Sequence, residues 1–192
     1  MTDAPTRAGQ VPPAEFVPVE DFLEIVDPAP YLEVLEQRFG VPPAVFERYW
    51  VHRANRDNVW IVDRGLRIPA RPEPRSLGFP FFYARMEHPR PTTAAAVRFG
   101  SLATRNIFSL EAEDLSRLIY RKEILFEDSR LDSLQKNGYV LLSHRGLILG
   151  LGSFKRENPG SGSIKSLLPR SWTARLALRA PDSLLPSSDF QG

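Results

Sequence analysis

Between Leu149 and Trp172 the sequence LGLGSFKRENPGSGSIKSLLPRSW sets four glycines among Lys155, Arg156, Lys165 and Arg170. Glycine beside lysine and arginine suits two chemistries: a loop that wraps the phosphates of a nucleotide, or a β-hairpin that holds a nucleic-acid backbone. The phosphate-loop rule requires G-x-x-x-x-G-K-[ST], and here Lys165-Ser166 follows Ile164. The dinucleotide rule G-x-G-x-x-G fails at both glycine pairs, because Lys155 and Lys165 stand where the third glycine belongs. No helix-forming run begins behind either pair. The expected element is therefore a hairpin with ENPGSG at its tip and its lysines and arginines close together at the two ends.

Other chemistries have little to draw on. With no cysteine, disulfides, thiol nucleophiles and thiolate metal sites are excluded. His52, His88 and His144 are scattered without H-x-x-x-H or H-E-x-x-H spacing, so each is expected to be a surface or packed histidine and no metal site is expected. The carboxylates of Glu111, Glu113 and Asp114 stand at a helix start, and Glu127 and Asp128 at a turn. Acidic residues there stabilise structure or are solvated. No Ser-His-Asp order stands out, so neither an enzyme nor a cofactor is expected.

Charge is distributed unevenly around the formal total of +2. Residues 1–40 hold eight acidic and two basic side chains, a net of −6, whereas residues 143–179 hold seven basic residues against Glu157 alone, a net of +6. The seven include Arg145 and Arg175. Such asymmetry suits a polyanionic partner on one side and a protein contact on the other. The first ten residues lack the pattern of a secretory signal, and no apolar run approaches the ~20 residues of a membrane helix. The chain is expected to be cytoplasmic, with no membrane partner.

Several elements must position these residues. Residues 1–20 and the C-terminal stretch are rich in Pro, Ser, Gly and Ala and are expected to be tails. PAPYLEVLEQRFG places Leu32, Leu35 and Phe39 on one helical face and stops at Gly40. VPPAVFERYWVHR predicts a second helix with Val45, Phe46, Tyr49 and Trp50 inward, and VWIVD predicts a strand. The proline-rich IPARPEPRS (68–76) predicts a linker. After it come an irregular strand with Pro80, a threonine-capped helix RPTTAAAVRFG, a strand RNIFSL and a helix through RLIYRKEI. Its face is Ala112, Leu115, Leu118 and Ile119, with Arg121 and Lys122 near its end. GYVLLSH and LILGLGSF then make an antiparallel pair around Arg145-Gly146, followed by SIKSLL.

The order of RPTTAAAVRFG (90–100), ATRNIFSL (103–110), RLIYRKEI (117–124), GYVLLSHRGLILGLGSFK (138–155) and IKSLLPRSW (164–172) resembles a PUA domain. The likeness is to the PUA-like C-terminal region of the rRNA cytosine-5 methyltransferases and to archaeal-type pre-PUA plus PUA proteins. It implies an α+β fold: a tail (1–20), a small N-terminal pre-PUA-like unit (21–85), a PUA-type mixed β pseudo-barrel with flanking helices (86–178) and a second tail (179–192). It also implies binding of structured rRNA or tRNA. Lys155, Lys165, Arg170 and Trp172 fall on the matching motifs; Arg145, Arg156 and Arg175 join them by charge. The methyltransferase domain, the S-adenosylmethionine glycine motif and the catalytic cysteine pair of those enzymes have no counterpart here.

The expected function is a non-catalytic RNA-binding protein of rRNA modification or ribosome biogenesis. A protein partner would meet the acidic N-terminal block. The alternative is an adaptor for an RNA-modifying or ribosome-assembly enzyme that does not itself bind RNA.

Overall fold

The computed structural model describes residues 15–86, 88–121 and 123–171. Lys122, Trp172, Arg175 and the expected C-terminal tail lie outside the described residues.

Helical spacing in the first block produces α1 (Ala29–Val34), whose first turn is anchored by Asp27 Oδ1 accepting from Ala29 N at 3.0 Å. It runs on as a π-helical turn, Leu35–Phe39, and stops at Gly40, whose φ of 69° an L-side chain resists. Leu35 and Phe39 are buried, as their spacing requires.

The second helix expected here is a correction. Only Pro43–Phe46 forms a 3-10 turn, and Tyr49–Arg53 is a strand. The run YWVHR is aromatic and β-branched, and pairing with the apolar VWIV overrides its helical spacing.

In chain order the strands of this half are β1 (Phe16–Pro18), β2 (Tyr49–Arg53), β3 (Asn58–Asp63), β4 (Arg67–Pro69), β5 (Phe79–Tyr83) and β6 (Arg90–Pro91). β1 lies in the segment read as a tail, yet it pairs antiparallel with β4 at the head of the expected linker. The others form a sheet in the order β2-β3-β5-β6. Pro80 in β5 sits opposite a bulge at Val59/Trp60, the irregularity its missing N–H calls for. The expected boundary between 85 and 86 falls between two paired strands, β5 and β6.

Next come α2 (Thr93–Phe99), β7 (Ile107–Ser109), α3 (Ala112–Arg121), β8 (Glu123–Glu127), β9 (Gly138–His144), β10 (Leu147–Asn158) and β11 (Ser161–Ser166). Thr92 caps α2: its Oγ1 accepts from Ala95 N at 3.1 Å and donates to Pro80 O at 2.6 Å. β8 corrects the expected helix end, because EILFE alternates, with Ile124 and Phe126 buried and Glu123, Leu125 and Glu127 exposed. The sheet order is β7-β9-β10-β11-β8, parallel only between β7 and β9. The molecule is therefore mixed α+β, with three sheets among the described residues, none of them closed.

Two cores sandwich this five-stranded sheet. Phe108, Leu118, Phe126, Leu131, Val140, Leu142, Phe154 and Ile164 fill one side beneath α3 and the 3-10 turn Ser129–Ser133. On the other side Leu141 and Leu151 pack with Ala95, Ala96 and Phe99 of α2 and with Phe39, Phe46, Ile61, Phe81 and Phe82 of the first half. The second core is continuous across both halves. Among the described residues no helix is long and apolar enough to cross a membrane.

Candidate nucleic-acid interface

The glycine stretch is a hairpin, β10 and β11, turning at Pro159-Gly160. Gly150 and Gly162 serve packing, whereas Gly160, at φ 76° with nothing near its Cβ position, serves the turn. Gly150 has a φ of 148° at a bulge in β10, and a Cβ there would stand 2.6 Å from Leu168 and 3.0 Å from Thr93 at the head of α2. At Gly162 a Cβ would stand 2.6 Å from the Phe154 ring. Glycine at these positions lets α2 and the Phe154 ring close onto the sheet.

Strand alternation then sorts the cations. Phe154 and Ile164 are partners in register and point into the core. Their neighbours Lys155 and Lys165 point out of the opposite face, both exposed and with no ion pair or hydrogen bond among the described residues. In register the face reads Tyr139, Ser153, Lys165, Glu123 in one row across β9, β10, β11 and β8, and Lys155, Ser163, Leu125 in the next. α2 packs against β10 at one end of this face, while the other, more open end exposes Lys155, Lys165 and Leu125 around the buried Ser163. Glu123 and Glu127 of the edge strand border the open end, and Leu125 is 48% exposed there.

Arg156 faces the other way. Its Nη2 donates to Leu131 O at 2.7 Å and Leu134 O at 3.1 Å, tying β10 to the 3-10 turn. Arg145, at φ 51° in the β9–β10 turn, is exposed but lies ten residues along β10 from Lys155, on the order of 30 Å away. Arg170 is exposed just past β11 and has an interaction of its own. Trp172 and Arg175 lie outside the described residues. The structure thus brings Lys155 and Lys165 together and leaves Arg145 and Arg156 elsewhere.

Asp114 and Asp128 have structural partners. Arg130 Nη1 donates to Asp114 Oδ2 at 2.6 Å and its Nη2 to Asp128 Oδ2 at 2.8 Å, with its guanidinium 5.1 Å from the Phe108 ring centre. Bonding to Asp128, opposed in part by burial, raises the Arg130 guanidinium, and the Arg130 bond holds the Asp128 carboxyl below its ordinary range. Asp114 also accepts from Glu111 N at 3.1 Å, closing the first turn of α3. His52 and His144 are bound to the carbonyls of Leu77 (3.0 Å) and Leu110 (2.7 Å).

Sequence reasoning missed a cleft of about 780 Å³ beside the lysine face. It is lined by Gln37 and Arg38 of the π-helical turn, His88 and Pro89, and Gln135 to Tyr139 at the head of β9. Arg38 Nε donates to Tyr139 O at 2.6 Å, whereas its Nη2 is buried without a partner among the described residues. Burial lowers the Arg38 guanidinium from its ordinary value. Gly138, at φ 136°, permits this arrangement, since a Cβ there would stand 3.3 Å from Arg38 Cζ. The only local signal was Lys136 in the turn LQKNG. No protein-family model and no curated protein matches the chain.

Proposed function

We propose that this chain is a non-catalytic RNA-binding protein of the pre-PUA plus PUA type. It acts in the cytoplasm in rRNA modification or ribosome biogenesis. The five-stranded sheet with α2 and α3 is read as the PUA-like body, and the β2-β3-β5-β6 sheet with α1 as the pre-PUA-like unit. The observation that carries the reading is the pair Lys155 and Lys165, two exposed cations on adjacent strands of one sheet face with no partner among the described residues. Such a pair meets phosphates with salt-dependent affinity and little sequence choice. The exposed acidic residues Asp21, Glu24, Asp27, Glu33 and Glu36 favour a protein contact on the N-terminal side.

Fluorescence anisotropy with structured rRNA fragments across a salt series tests the reading. Binding at about micromolar or tighter is expected, with a salt slope that falls by about two in Lys155→Ala/Lys165→Ala. A wild type that binds no RNA at low salt would shift the assignment to the adaptor that binds protein alone, and an unchanged slope in the double variant would overturn the lysine pair as the contact.

A further inference from the structure

Hydrogen bonding inside the protein fixes what the cleft beside β9 can offer a ligand. Asn106 is buried at φ 55°, and its Oδ1 accepts from Gln135 N at 2.8 Å. Its Nδ2 must then donate, to Arg38 O at 2.6 Å and Gln135 Oε1 at 3.2 Å. Gln135 Oε1 is thereby used, leaving Nε2 without a bond among the described residues. Asn137 is fixed in the same way, because its Oδ1 accepts from Arg156 N at 2.8 Å and leaves Nδ2 over. Lys136 between them is exposed and has no ion pair among the described residues. The side-chain groups left over on this wall, those of Gln135, Lys136 and Asn137, are donors, Arg38 adds charge from the helix side, and no described lining residue is acidic. The helix wall is the complement: Gln37 gives Nε2 to Glu33 at 2.7 Å, which leaves its carbonyl oxygen as an acceptor.

We propose that this cleft seats a nucleotide of a single-stranded RNA segment, its phosphate on Lys136, Gln135 and Asn137 and its ribose or base edge toward Gln37. The assignment rests on the RNA-binding reading and adds a second contact region to it. Donors on one wall match phosphate oxygens, and the acceptor on the other matches a 2′-hydroxyl or a base N–H. The volume lies within the roughly 300–1,000 Å³ of small-ligand sites. The cleft also leads onto the lysine face. Tyr139 lines it and shares a cross-strand row with Ser153 and Lys165, so two strand spacings, about 10 Å, separate Tyr139 from Lys165. A strand leaving the cleft past Tyr139 arrives at Lys165 and Lys155.

The test is anisotropy with a labelled single-stranded RNA and the DNA of the same sequence, on the wild type, Lys136→Glu, Lys136→Arg and Lys155→Ala/Lys165→Ala. Lys136→Glu is expected to weaken RNA binding about tenfold with an unchanged melting temperature, Lys136→Arg to retain it, and RNA to bind more tightly than DNA. RNA binding that Lys136→Glu leaves untouched, while the double variant loses it, overturns the cleft and keeps the RNA function. Equal loss in Lys136→Arg and Lys136→Glu, or DNA bound as tightly as RNA, also overturns the cleft. A wild type that binds no RNA overturns both assignments.

Discussion

Lys155 and Arg156 are adjacent in sequence and carry the same charge, but they belong to opposite faces of the five-stranded sheet. Arg156 turns toward α3 and the 3-10 turn, where backbone carbonyls hold it, and Arg130 is held there by two carboxylates. Lys155 turns to the open face and has no partner among the described residues. A count of basic residues treats the two alike. The period of two along a strand assigns one to cohesion and leaves the other for binding.

That division can be broken most severely at Phe154, the fully buried ring that precedes the two cations and lies against the Arg156 guanidinium. Phe154→Ala removes a core aromatic and is expected to cost about 3–5 kcal/mol in a denaturant titration. A loss below ~1 kcal/mol would mean that this face is not the packed one. Arg130→Ala comes next, at about 2–3 kcal/mol. This is below the cost of breaking a fully buried pair because the Arg130 side chain is 33% exposed.

The same network sets an acid limit. Asp128 has a lowered carboxyl pKa in the folded state, so its contribution is present above the unfolded value of about 3.9 and is lost as pH falls through the folded one. Arg130 is raised and stays charged throughout this range. The melting temperature of the wild type should therefore drop more between about pH 5 and pH 2 than that of Asp128→Asn. The smallest effect sharpens the contrast: Lys155→Ala/Lys165→Ala should change stability by no more than about 0.5 kcal/mol. A larger loss would show that the open face is also structural.

Legibility in the sequence followed the range of the interactions. Gly40 as a helix stop, Thr92 as a cap and the glycine hairpin were readable because each depends on neighbours within a few residues. Tyr49–Arg53 was misread as helical because the pairing that decides it comes from Asn58–Asp63. The pairing of Phe16–Pro18 with Arg67–Pro69 spans about fifty residues and left no local pattern. The cleft was hidden for the same reason, since Arg38 meets Tyr139 across 101 positions. The role of Arg156 could not be read either, because nothing in FKREN tells which carbonyls will approach its guanidinium.

The core that runs through both halves has a consequence for folding. Separating the chain between Tyr83 and Arg90 would strip Phe81 and Phe82 of Phe99 on one piece, and Leu141 and Leu151 of their cover on the other. Each fragment would expose apolar surface worth roughly 25 cal/mol per Å². Neither half is therefore expected to fold without the other, and the lysine face is expected to stand only with the acidic half attached.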